Sequence, residues 1–113
     1  MKYGCENKTE ILLRLNYMVI HAPDSFPPEG GMTLELAFAT VEYGLRRIEE
    51  IDGRPQVVEA VNQIRPELLT ARKLFDEGEV VPACHKLQDV EDILRSVHVK
   101  TEVWPNSEAA PPI

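Results

Sequence analysis

Cysteine is nearly absent from the chain: Cys5 and Cys84 are the only two in 113 residues, far apart and without CxxC spacing. That excludes a CxxC redox pair and a zinc ribbon, and the one bridge they allow is fewer than small secreted domains rely on. Basic residues are outnumbered, 12 Lys and Arg against 19 Asp and Glu, for a net charge of −7. A surface of that sign repels phosphate, which argues against a general nucleic-acid or anionic-membrane binder. Long apolar runs are also missing. Arg14 and Asn16 interrupt the stretch from Ile11 to Ile20, and Tyr17 to Ile20 leaves only four consecutive apolar residues. Neither a cleavable signal nor a membrane span fits such a stretch, and a cytoplasmic location is the expectation. Signatures of catalysis are lacking as well. There is no GxSxG and no HExxH, and Gly30-Gly31 runs into Met32-Thr33 rather than the Lys-Thr of a phosphate-binding loop.

What is present is an aliphatic chain of one-domain length. Ile, Leu, Val and Phe number 32, about 28% of the residues, above the roughly 20% below which an acidic chain stays disordered. Pro and Gly punctuate it at Pro23–Gly31, Asp52–Pro55 and Glu77–Glu79, giving four segments and a tail after His98. In the second segment Leu34, Phe38, Val41, Leu45, Ile48 and Ile51 recur at spacings of 4, 3, 4, 3 and 3, one face of a helix. Thr33 is its expected N-cap and Gly53 its expected left-handed stop, with Glu42 and Arg46 an outer i,i+4 pair. The third segment carries Val57, Val61, Ile64, Leu68, Ala71 and Phe75 in the same rhythm, with Pro55 suited to its first turn, Pro66 in its interior and Gly78 at its end. The fourth, expected to start near Pro82, has Val80, Ala83, Leu87, Val90, Leu94 and Val97.

The first segment is two-sided. Asn7 followed by Glu10 reads as a capping box, and Ile11, Leu12, Leu15, Met18 and Val19 make a helical stripe. Ile11, Leu13, Leu15, Tyr17 and Val19 also alternate as a strand would, and Val97, Val99, Thr101 and Val103 offer a second strand. Two isolated strands are marginal, so a helix over residues 7–22 is preferred. The expected fold is all-α: a small antiparallel bundle of about four helices over residues 1–100, with residues 101–113 a frayed, flexible tail.

Few residues suggest chemistry. His85, Asp89 and Asp92 stand at i, i+4 and i+7 on one helix face, a partial set for a divalent cation, but the Glu-x-x-His spacing of di-iron bundles is missing. A four-helix domain with a histidine beside a lysine, here His85-Lys86, also resembles the histidine-phosphotransfer domains. Their lysine three residues on is replaced here by Gln88, and the small residue after it by Asp89, whose charge would repel a phosphoryl group. Cys84 borders the apolar seam and reads as a packing residue rather than a nucleophile. No catalytic residue, metal or cofactor is therefore expected, and the chain is read as a non-enzyme.

Charge and shape remain. Glu35, Glu42 and Glu49, spaced by sevens, predict an outward acidic row on the second helix, and Asp89, Glu91 and Asp92 a cluster on the fourth. Phe26, between Pro23 and Pro27-Pro28, is either an anchor for a partner's pocket or a lid on the bundle. Partner binding is accordingly assigned to Glu35, Glu42, Glu49, Asp89, Asp92 and Phe26. In size, charge and helix count the chain resembles the small helical immunity proteins of bacteria, which implies an inhibitor capping a basic partner protein. A dimeric adaptor or secretion-chaperone-like protein is the alternative, and a metal or phosphotransfer bundle centred on His85 the third, so the chain is expected as monomer or homodimer.

Overall fold

The computed structural model describes residues 7–99. It holds four α-helices, α1 Lys8–His21, α2 Leu34–Ile51, α3 Pro55–Asp76 and α4 Val80–Arg95, with a single 3-10 turn at Pro28–Gly30 between α1 and α2. The expected all-α bundle is what forms. Residues 101–113, assigned above to a tail, and Cys5 lie outside the described residues. So do Thr101 and Val103, half of the second strand considered for the chain ends.

Local chemistry accounts for most of the helix boundaries. The side chain of Asn7 accepts the Glu10 N–H at 2.9 Å, and that of Thr33 accepts the Leu36 N–H at 3.1 Å, so α1 and α2 each begin on a satisfied donor. Gly78 adopts φ +83°, with its N–H on Phe75 O at 3.0 Å and the Glu79 N–H on Leu74 O at 2.8 Å. That paired closure is a Schellman stop, which the absent Cβ of glycine permits. Two boundary expectations are corrected. Gly53 is not left-handed; the only positive-φ glycines among the described residues are Gly31 and Gly78. Pro55 holds Arg54 extended, at φ −62° and ψ 148°, because its ring disfavours a helical predecessor. The corner is instead fixed by Asp52, 2% exposed, whose carboxylate accepts Arg54 Nε at 2.8 Å and Nη2 at 2.7 Å. Helix α4 starts at Val80 rather than at Pro82, which sits within the first turn, where an N–H has no helical acceptor in any case.

The helices form a ring in which each packs on two neighbours: α1 on α2 and α4, α3 on α2 and α4. Named contacts fix the directions. Lys8 at the start of α1 donates to Val97 O beyond α4 at 2.8 Å, while Cys84 at the start of α4 lies against Val19 O near the end of α1. Phe38 early in α2 meets Phe75 late in α3 edge-on, centroids 6.1 Å apart. All neighbours are thus antiparallel. The core is the expected set except at Ile51, placed on the α2 seam but 48% exposed because the helix ends there: Ile11, Leu15 and Met18 of α1, Val41, Leu45 and Ile48 of α2, Val57, Val61 and Ile64 of α3, and Leu87, Val90 and Leu94 of α4 are all essentially inaccessible. Val99, past the last helix, joins them. The strand-like alternation in α1 dissolves here. Leu13 and Ile20 sit outside at 64% and 62% exposed, so they add apolar residues without contributing to the core face.

Candidate functional site

The acidic row of α2 is real in register but not free. Helical spacing puts Glu42 and Glu49 on the side that meets α3, where Arg65 reaches both. Its Nε donates to Glu42 Oε2 at 3.2 Å, and its Nη2 and Nη1 to the two oxygens of Glu49 at 2.8 and 3.3 Å. The expected Glu42–Arg46 pairing is thereby replaced, because a guanidinium fork on the neighbouring helix offers better geometry than an exposed i,i+4 contact. The hydrogen bond that Arg65 donates to Glu49 comes first in holding the guanidinium charged, with the fields of Glu42 and Glu49 adding to it against the effect of burial.

This ionic crossbar closes one end of a groove of about 500 Å³. Helix α2 contributes Glu35, Phe38, Ala39 and Glu42 to it, and α3 contributes Arg65, Leu68, Leu69 and Arg72. Phe38 and Leu68 are buried and form the floor, while Leu69 stands on the rim 72% exposed. The Arg72 guanidinium carbon lies 5.5 Å from the centroid of the Phe38 ring, a cation–π contact, and its Nε approaches Asp76 only to 3.7 Å. Among the described residues no ion pair involves Glu35, which is exposed at the open end. The groove therefore has an apolar floor, an acidic wall and a basic wall. Such a surface offers both shape and charge for contact.

The other predicted residues do not join it. Asp89 and Asp92 are exposed on α4, and α4 lies across the ring from α2, so the two acidic groups face different sides of the bundle. Asp92 makes a loose 3.9 Å contact with Arg95. Glu91, expected beside them, leaves the cluster. Two residues from Asp89 it is rotated about 200° round the helix, and it is 7% exposed with Oε2 unpartnered. Burial first, and the charge of Asp92 after it, push its carboxyl above the usual carboxylate range, and Arg95 offsets only part of this. Phe26 is half-buried and rests on Tyr17 and His21 of α1, at centroid distances of 5.6 and 6.2 Å. Its ring is a lid over that end of the bundle rather than a projecting anchor.

The histidine and cysteine readings find little. His85 is exposed, and among the described residues no three His, Cys, Asp or Glu side chains gather as metal ligands. Lys86 beside it is committed to Glu67 at 2.9 Å, a hydrogen bond that, ahead of the attraction of the same carboxylate, keeps the amine charged. Cys84 is a free thiol, half-buried, and burial pushes it up toward its neutral form, the behaviour of a packing residue.

The sequence reading missed the basic wall and the rim leucine. Arg65 and Arg72 are spaced by seven, the same interval as the acidic row, and that matched spacing on adjacent antiparallel helices was a usable signal. No helix among the described residues is long and apolar enough to cross a membrane. Compared with protein-family models, with characterised proteins and with solved structures, the chain finds no match.

Proposed function

We propose that this chain is a non-catalytic acidic helical binding module, most concretely an inhibitor of the immunity or antitoxin kind that caps a basic partner protein, and that it docks through the α2/α3 groove. The observation that carries the reading is Leu69, 72% exposed on the rim of a groove floored by Phe38 and Leu68. A large apolar side chain left in solvent beside a concave apolar surface is the usual mark of a contact site. The net charge of −7 supplies a field that speeds approach of a basic partner. Glu35, Asp89 and Asp92 are the predicted residues left exposed to contribute to it. On this reading Glu35 takes part in docking, and the aspartates, on another side of the ring, in steering.

The test is a comparison of tagged baits in extract from the native source: wild type, Leu69→Asp, and a variant with Lys at Glu35, Asp89 and Asp92. A stoichiometric partner held by the wild type and lost from L69D supports the reading. Equal retention by all three baits rules it out.

A homodimeric adaptor is the second reading, favoured by Leu13 and Ile20, seven residues apart and exposed on α1. Sedimentation equilibrium of wild type and the Leu13→Glu/Ile20→Glu variant tests it. A dimer that the double substitution dissociates supports it, and a monomeric wild type excludes it.

A further inference from the structure

The groove also carries information about what enters it, given the docking reading above. All eight lining residues lie inside α2 and α3, whose backbone groups are paired within the helices apart from the first-turn N–H of Glu35 at the open end. No strand edge or open loop lines it. An extended segment laid on the floor of Phe38 and Leu68 would lose water from its own backbone and gain no backbone partner. A helix brings its backbone hydrogen bonds with it, and the trough between two antiparallel helices suits a third one packed ridge into groove. A second copy of this chain presenting the same face fits poorly, because groove would meet groove and leave the floor uncovered.

Charge narrows the class further. The crossbar of Arg65 with Glu42 and Glu49 is internally compensated, which leaves at the open end Glu35 on the α2 wall and, on the α3 wall, Arg72, which lies over Phe38 and meets Asp76 only loosely at 3.7 Å. Glu35 and Glu42 bracket about 10 Å along α2, roughly two helical turns. The spacing by sevens in both walls matches the interval at which a helix repeats its flanking charges.

We infer that the groove takes an amphipathic α-helix of a partner protein, with an apolar anchor between Phe38 and Leu69, a Lys or Arg on the edge facing Glu35 and an Asp or Glu on the edge facing Arg72. Turning such a helix end for end exchanges its edges, so the charge pattern also fixes its direction. A helix with Lys on both edges meets Arg72 with like charge, and one with Glu on both edges meets Glu35.

The test uses the full chain, isotope-labelled for backbone amide spectra, and four synthetic peptides sharing one leucine seam. One has a Lys edge and a Glu edge, one Lys on both edges, one Glu on both, and the last is the Lys/Glu peptide broken by two central prolines. The Lys/Glu helix should shift amides within 35–42 and 65–72 and bind about tenfold or more tightly than the other three, the scale of one well-placed charge pair or of a lost anchor. Leu69→Asp should weaken it by a similar factor. Glu35→Lys makes both walls basic and should turn the preference to the Glu/Glu peptide. Both positions are exposed, and far-ultraviolet circular dichroism confirms that the variants keep their helix. The inference fails if the proline-broken peptide binds equally well, if shifts fall off the groove, if E35K leaves the order of peptides unchanged, or if the Lys/Glu helix does not bind. Its failure is separable from that of the docking reading. A natural partner lost from L69D while the peptides go undiscriminated removes the helix and keeps the groove; a natural partner kept by L69D removes the groove itself.

Discussion

The α2/α3 face and the α1/α4 side of the ring treat charge in opposite ways. On the first, four charged side chains line an apolar floor, and two of them, Arg65 and Glu42, join Glu49 in a network whose members satisfy one another at 2.8–3.3 Å. On α4, Glu91 is a lone carboxylate, 7% exposed with one oxygen lacking a hydrogen-bond partner. A charge held at a rim retains water and costs the fold little, whereas one taken out of water without a partner weakens it. The contrast separates charges compensated near the surface from a charge buried by packing, and it predicts different responses to substitution on the two sides.

The largest difference is between leucines. Leu15 is wholly buried in α1 among the core side chains, and Leu69 stands in solvent on the groove rim. Leu15→Ala removes buried methyl groups and leaves a cavity, so about 2–5 kcal/mol of unfolding free energy should be lost. Leu69→Ala should stay within about 0.5 kcal/mol of wild type. Urea unfolding of the two variants measures this directly, and a comparable loss at Leu69 would show that the rim is part of the core.

Next is Glu91. Its carboxyl titrates above the ordinary value because burial disfavours the charged form. In the native state the proton is therefore held more tightly than in the unfolded chain. Below the unfolded-state value both states are protonated and the residue is neutral in its effect. As pH rises past the unfolded-state value the penalty sets in, and it is complete above the raised native value. Glu91→Gln removes the charge and keeps the shape and the polar atoms, so at neutral pH it should stabilise the fold by whatever the buried charge costs. The gain should fade as pH drops below the native value. Thermal unfolding of both proteins across that range reads the sign; stabilisation that persists in acid would mean that the charge is not its source.

Arg65 sharpens the comparison from the other side. Arg65→Gln breaks two cross-helix ion pairs at once and should cost about 0.5–1 kcal/mol, the upper end for partly exposed pairs. The difference from wild type should shrink in high salt, which screens the wild-type network but has nothing to screen in the variant. Arg65→Lys keeps the charge and loses the fork, so it should fall between the two. Urea titrations at low and high salt give both values.

How much of this was legible beforehand follows from what each feature depends on. The seams of α2, α3 and α4 were readable because burial on one face of a helix imposes its period on the sequence, and of the named seam residues only Ile51, at the end of α2, is exposed. Asn7, Thr33 and Gly78 were readable because caps and stops are local chemistry. Gly53 misled for the same reason: its chemistry allows a left-handed turn, but Pro55 two residues on decides the corner. The groove was hidden because it belongs to two helices at once. Glu42 has a basic residue four positions away in sequence and a better one, Arg65, across the interface. Only the packing of α2 on α3 tells which is its partner. Glu91 was misplaced by treating three nearby acids as one patch, although the helical angle between positions 89 and 91 already separates them.

The smallest expected effect on stability is at Glu35, and it isolates contact from fold most cleanly. Glu35 is exposed in the first turn of α2, where a negative charge is favoured by the helix dipole by a few tenths of a kcal/mol at about one turn's range. Glu35→Gln should therefore lower stability by no more than about 0.5 kcal/mol, and increasing salt should erase even that. The same change removes the one acidic group of the groove's open end that no ion pair among the described residues engages, so peptide or partner binding should respond where folding does not. Urea unfolding and binding titrations on the same protein sample supply both numbers. A stability loss as large as that of Arg65→Gln would place Glu35 within the internal ion network of α2 and α3, and the division between a compensated crossbar and an open, charge-presenting end of the groove would no longer hold.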